Sequence, residues 1–166
     1  MEGHLIYLSL GSNLGNRLHN LTAAREIIEK EVGPLQKGSG VYESAPWGYS
    51  SANHFYNGCL SLQTLLDPLP LLEKLLSLER SMGRVRGDEG YSDRVIDVDL
   101  LFYGNTLLDH PRLKIPHPAL EKRRFVLAPL SEIAPELQHP FHGLSVREML
   151  ERCEDPGTVI QRQLTF

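Results

Sequence analysis

A chain of 166 residues, 41% apolar and 23% charged, is long enough to bury a core as one domain, residues 1–166, without covalent staples. Its formal net charge of −4 argues against nucleic acid or an anionic membrane surface as partner, since both need a basic excess. Two cysteines, Cys59 and Cys153, are too few for a disulfide framework, and the apolar stretch "HLIYLSL" reads as neither a signal peptide nor a membrane span. The expectation is a cytoplasmic, monomeric protein with reduced thiols.

The first predicted element is a strand over "HLIYLSLGS", closed by Gly11 and Ser12. Leu18, Leu21, Ala24, Ile27 and Ile28 then recur at helical spacing from Asn16 to about Val32, and Gly33-Pro34 stops the run. "VYESAP" and "HFYNGCLSLQT" read as the second and third strands. After Asp67-Pro68 an amphipathic helix runs to about Gly83, with Asp67 in position to cap it and Pro68 at its first residue. "RVIDVDLLFYG" is the fourth strand. Beyond it the pattern predicts a short extended piece, short helices separated by prolines, a helix at "SVREMLE" and a last strand at "TVIQRQL".

The order strand, helix, strand, strand, helix, strand is that of a ferredoxin-like α+β sandwich, βαββαβ. Such a fold has a mostly antiparallel sheet with helices on one face and a second face open to a ligand. Fold alone assigns no function.

Alternation along the fourth strand sets Ile96, Val98, Leu100 and Phe102 on one apolar face and Val95, Asp97, Asp99, Leu101 and Tyr103 on the other. Asp97 and Asp99 then point the same way, roughly 6.6 Å apart, and repel by about 2.5 kcal/mol at an effective dielectric near 20. Paired carboxylates beside Leu101 and Tyr103 suit a hard cation such as Mg²⁺, although two solvated side chains remain an alternative. In the third strand Phe55 and Asn57 share the open side, where a ring and an amide are able to read a flat heterocycle; simple packing is the plainer alternative.

Arg84, Arg86 and Arg94 flank the loop "GDEGYSD", and Arg112, Lys114, Lys122, Arg123 and Arg124 follow with His117 among them. That density suits a polyphosphate, against an alternative of surface arginines paired with Asp88, Glu89 and Asp93. No Walker or kinase signature is present, and no nucleophilic triad or zinc spacing is apparent. "GSNLGNR" reads as a strand-to-helix turn with a possible ligand contact from Asn13.

"LGSNLGNR", "YESAPWG", "FYNGCLSLQT", "ERSMGRVR", "SDRVIDVDLLFYG", "IPHP" and "RRFVLAPLSEIAPEL" together resemble the 6-hydroxymethyl-7,8-dihydropterin pyrophosphokinases of folate biosynthesis, from about Leu5 to Leu137. The resemblance implies the ferredoxin-like fold and transfer of pyrophosphate from ATP to the pterin hydroxymethyl group, with release of AMP. It implies two Mg²⁺ ions on Asp97 and Asp99, and a pterin site of Ser44, Trp47, Phe55, Asn57 and Phe125. It implies an ATP side of Glu79, Arg86, Leu100, Arg112 and His117, with Arg84, Arg94 and Arg123 joining the two aspartates in catalysis. The partners are then small molecules only.

Where many members carry Arg-Trp before the fourth strand, this chain has Gly90-Tyr91, so the closure of the 87–93 loop over ATP departs from the pattern. Two rivals stay open: a metal-dependent nucleotidyltransferase, which would release pyrophosphate, and a ferredoxin-like binding module.

Overall fold

The computed structural model describes residues 3–83 and 91–166. Arg84, Arg86 and residues 87–90 lie outside the described residues, and with them most of the expected loop.

Strand β1 (His4–Ser12) has the predicted bounds and is buried from Ile6 onward, because it sits inside the sheet with layers on both faces. Helix α1 (Arg17–Glu31) starts at Asn16, whose side chain accepts a hydrogen bond from the His19 N–H, and buries Leu21, Ala24 and Ile28. A short strand not anticipated, β2 (Leu35–Gly38), precedes β3 (Val41–Ser44) and β4 (Phe55–Thr64). Its sequence "LQKG" is largely exposed and polar, so no alternation marks it. Helix α2 (Pro68–Ser81) begins with Pro68 as predicted; Asp67 holds the cap position, but its side chain makes no capping hydrogen bond.

Strand β5 (Asp97–Tyr103) is followed by a β6 (Leu108–His110) and β7 (Leu113–Ile115) hairpin, then α3 (Arg124–Ile133), α4 (Val146–Arg152) and β8 (Val159–Arg162). Pro129 lies inside α3 rather than between helices. An interior proline costs roughly 3 kcal/mol, and burial of Val126, Leu127, Leu130 and Ile133 against the sheet offsets it.

The main sheet runs β5-β1-β4-β3-β8, with β2 also on β4, and every described pairing is antiparallel. The first four strands of that order give the ferredoxin-like arrangement. Ile6, Leu8, Leu10, Leu60 and Leu62 pack with α1 and α2 on one face. Tyr7 and Cys59, at alternate positions, pack with α3 and α4 on the other. That second face is thus divided: α3 and α4 cover one part and leave the other to a cleft.

Two face assignments change along β5. Leu8 pairs with Leu100 and Tyr7 with Phe102, so Leu101 is an extra residue and the alternation slips there. Phe102, expected beside Val98 and Leu100, instead joins Leu101 under α3; Tyr103, expected beside the aspartates, joins the α1–α2 core and donates its hydroxyl to the Leu66 carbonyl at 2.7 Å. Asp97 and Asp99 precede the bulge and keep their expected face.

Candidate active site

The floor of the cleft is a matter of strand register. β1 sets Gly11 opposite both Asp97 and Asn57, and Ser9 opposite Asp99. One rung therefore runs Asp97–Gly11–Asn57, about 10 Å across for two interstrand spacings of ~4.8 Å. A Cβ at Gly11 would come within 3.3 Å of Asn57 Oδ1 and 3.4 Å of the Phe55 ring, so glycine keeps the rung clear. Ser44, Trp47, Phe55 and Phe125 wall the cleft on the Asn57 side, with Arg94 and Arg123 on the aspartate side.

Asn57 is buried, and its Nδ2 donates to the Tyr42 carbonyl at 3.1 Å and to Ser44 Oγ at 2.9 Å. Both amide protons are thereby used, which leaves Oδ1 as an acceptor for a ring N–H of a ligand. Aromatic faces at Phe55, Phe125 and Trp47 complete a slot suited to a flat heterocycle.

At the other end Arg94 donates from Nε to the Ser92 carbonyl at 2.8 Å and lies 3.4 Å from Asp97 Oδ2. Arg123 approaches Asp99 at 3.9 Å, stacks on Trp47 with 4.7 Å to the ring centroid, and donates to the Tyr91 hydroxyl at 3.3 Å. Its buried Nε has no hydrogen-bond partner among the described residues. A half-buried guanidinium with a donor to spare beside two carboxylates fits an anionic, multi-oxygen ligand.

Tyr91 meets Trp47 edge-on, with centroids 5.7 Å apart. The contact depends on Gly48: at φ +84° it adopts a left-handed backbone, and a Cβ would sit 2.9 Å from the Tyr91 ring.

Among the described residues β5 is an edge strand, so the Val98 N–H between the two aspartates has no strand partner there. The buried Glu79 carboxylate of α2 accepts it at 3.1 Å. A second cleft opens beyond this edge, between α2 and β7, lined by Leu72, Leu76, Leu100, Arg112 and His117. Asp99 lines both clefts and marks their junction. Arg112 is ion-paired with Glu73. Burial, reinforced by the Arg123 charge and opposed by Asp97, pushes the His117 imidazole down to about 4, so it is neutral at pH 7. Its Nδ1 accepts the Ala119 N–H at 3.1 Å, which leaves the proton on Nε2 as a donor.

Ser44, Trp47, Phe55, Asn57 and Phe125 thus meet Arg94, Asp97, Asp99 and Arg123 in one cleft, while Leu100, Arg112 and His117 share the next. Glu79 reaches from α2 to the β5 backbone at Val98. Two readings are corrected. Asn13 is buried and spends its side chain on Tyr49, Asn53, Asp93 and Arg94, so it is a tie within the protein and not a ligand contact. Asp93 accepts from neutral donors and forms no arginine pair among the described residues. Gly11 and Tyr49 also line the cleft and were missed. The register of β1 reveals the first; no local signal marks the second.

Among the described residues no three or more His, Cys, Asp or Glu side chains gather as a metal site. Two same-face carboxylates suit a hard cation that completes its shell with phosphate oxygens and water.

Residues 7–135 match the 7,8-dihydro-6-hydroxymethylpterin-pyrophosphokinase family. The chain is 42% identical to the 2-amino-4-hydroxy-6-hydroxymethyldihydropteridine pyrophosphokinase of Porphyromonas gingivalis, covering 82% of this chain and 94% of that one. It is 40% identical to the enzyme of that name from Pseudomonas aeruginosa, over 92% and 93%. The folic acid synthesis protein fol1 of Pneumocystis carinii is 39% identical over 93% of this chain, which spans only 21% of that longer relative. The Plasmodium falciparum HPPK-DHPS crystal structure with pteroate superposes with a TM-score of 0.76 at 16% identity, over 92% of this chain and 45% of that one, a likeness of fold. With a matched core from β1 through α3 and whole-length relatives at this identity, the chain belongs to the 7,8-dihydro-6-hydroxymethylpterin-pyrophosphokinase family.

Proposed function

We propose that this chain carries out its family's reaction across the two adjoining clefts: the β,γ-pyrophosphoryl group of ATP passes to the hydroxymethyl oxygen of 6-hydroxymethyl-7,8-dihydropterin, and AMP leaves. The observation that carries this reading is the rung Asp97–Gly11–Asn57, which sets an amide acceptor between aromatic walls, across the one intervening strand β1 from a carboxylate-and-arginine floor. A pterin held by Phe55, Phe125 and the Asn57 Oδ1 would present its side-chain oxygen toward Asp97 and Asp99. ATP would enter from the second cleft, with its base against Leu72, Leu76 and Leu100 and its phosphates reaching Asp99.

Transfer of this kind is mostly positioning and electrostatic stabilisation. The new bond is from the hydroxymethyl oxygen to the β-phosphorus; the bond broken joins that phosphorus to the oxygen that departs with AMP, and the hydroxyl proton is lost to solvent. Arg123, with its unused Nε, and Arg94 neutralise charge on the phosphoryl oxygens, and His117 donates from Nε2 as a neutral group. Arg84 and Arg86 belong to the same proposal by family resemblance. Mg²⁺, held as two ions by Asp97 and Asp99, would supply charge neutralisation and orientation of the triphosphate.

No described helix is long and apolar enough to cross a membrane, and Cys59 and Cys153 are unpaired. Unpaired thiols suit a reducing compartment, so the proposal extends to a cytoplasmic enzyme, and action as a monomer is part of the same proposal. The test is incubation with ATP, Mg²⁺ and the dihydropterin. AMP with pterin diphosphate is expected; pyrophosphate release would favour nucleotidyl transfer, and retained binding without turnover would favour a binding module.

A further inference from the structure

Between the cleft and the end of β1 lies a junction of polar side chains, of which Tyr49 alone also lines the cleft. Asp93 is its centre. Oδ1 accepts from Asn13 Nδ2 at 2.9 Å and the Tyr49 hydroxyl at 3.0 Å, and Oδ2 accepts from Ser51 Oγ at 3.0 Å and Asn53 Nδ2 at 2.7 Å. Three of those donors belong to the loop of residues 45–54, which carries Trp47 and leads into Phe55. Asn13 binds the same region from below: it donates to the Asn53 carbonyl at 3.0 Å, accepts the Arg94 N–H at 2.7 Å, and gives its own N–H to the Arg94 carbonyl at 3.1 Å.

We propose that Asp93 is a positioning residue for pterin binding: it fastens the 45–54 loop to the segment entering β5, and so fixes Trp47 and Phe55 relative to Arg94 and Asp97. The inference rests on the pterin assignment of that cleft. Three features favour this over a general structural role. None of the four donors is a member of the apolar core clusters, so the junction ties loops to one another and is not part of the core itself. The residue next to Asp93 is Arg94, and the residue two before it is Tyr91, which packs on Gly48 and Trp47. The second cleft is built from α2, β5 and β7 and shares none of these loop residues.

The chemistry of the junction calls for a carboxylate. Burial opposes the charged form, but the hydrogen bonds from Asn53, Ser51, Tyr49 and Asn13 outweigh it and hold the Asp93 carboxyl below its ordinary value. An amide would offer one acceptor and one donor to a ring of donors, and so would lose part of the junction.

The test separates positioning from folding. Asp93→Ala should raise the KM for the dihydropterin about tenfold while the KM for ATP stays within about twofold, with a smaller fall in kcat. Asp93→Asn should show part of that rise, and the exchange Asp93→Asn with Asn53→Asp, which restores a donor–acceptor pair at the 2.7 Å contact, should recover much of it. Equal changes in both KM values, no change in either, or an exchange variant no better than Asp93→Asn would overturn the proposal. Should Asp93→Ala fail to fold, Ser51→Ala and Tyr49→Phe each remove one donor and should give smaller shifts of the same kind; their absence counts equally against it. Trp47 is the only tryptophan, so the free protein offers a second reading. Its emission should shift to the red and become more open to acrylamide in Asp93→Ala whether or not the pterin is the substrate. Unchanged emission refutes the fastening itself, whereas a wild-type protein that makes no AMP refutes only the assigned reaction.

Discussion

The two clefts that meet at Asp99 are built by opposite strategies. The first takes its walls from loops and element ends: Trp47 and Tyr49 from the 45–54 loop, Tyr91 and Arg94 from the approach to β5, Arg123 and Phe125 from the start of α3. The second takes its walls from regular elements, with Leu72 and Leu76 from α2, Leu100 from β5 and Arg112 beside β7. Rings on loops are able to close around a flat heterocycle, and the loops then need ties such as those at Asp93 and Asn13. An apolar slot between a helix and a strand edge needs no such ties, because core packing already fixes its walls. The two carboxylates, by contrast, lie on β5 itself, fixed by pairing with β1.

The sharpest way to break this comparison is to remove the shared floor. Asp97→Ala or Asp99→Ala should lower AMP formation about 1,000-fold or more while far-UV circular dichroism stays unchanged; a loss confined to the binding of one substrate would show that the floor is not shared. Arg123→Ala comes next, at about 100-fold in kcat/KM, since it removes the Asp99 pair and the Trp47 stack together. Chemical denaturation at a series of pH values tests the burial of His117. His117 titrates near 4 in the fold, below its ordinary 6.5, so the unfolded chain takes up the proton first as pH falls. Stability is therefore intact above pH 6.5 and is lost between 6.5 and 4, by about 2 kcal/mol at pH 5; His117→Asn should flatten that slope. The smallest effects form a matched pair read by steady-state kinetics. Phe125→Ala should raise the pterin KM about tenfold and leave the ATP KM alone. Arg112→Ala should raise the ATP KM about fivefold and leave the pterin KM alone, its exposed pair with Glu73 contributing little to stability. Crossed effects would mean that the clefts are one site.

β1 and α1 were legible because their ends are chemical: Gly11-Ser12 closes the strand and the Asn16 side chain caps the helix. The common face of Asp97 and Asp99 was legible from strand alternation. The swap of Phe102 and Tyr103 was not, since the bulge at Leu101 arises from pairing with β1 and has no local cause in "LLFY". Pro129 misled in the same way, because the burial that tolerates it comes from the sheet and not from α3 itself.

Sequence by itself determined the kinds of groups at this site and the strand that carries its charges, because alternation and capping act over a few residues. Only the tertiary structure decided that Gly11 stands between Asp97 and Asn57, that Asn13 is a tie, and that Tyr91 finds Gly48. Those relations depend on register and loop contact between residues far apart in sequence, as in the Gly11–Asp97 pairing and the Asn13–Asp93 bond, and such distances leave no imprint on neighbouring residues.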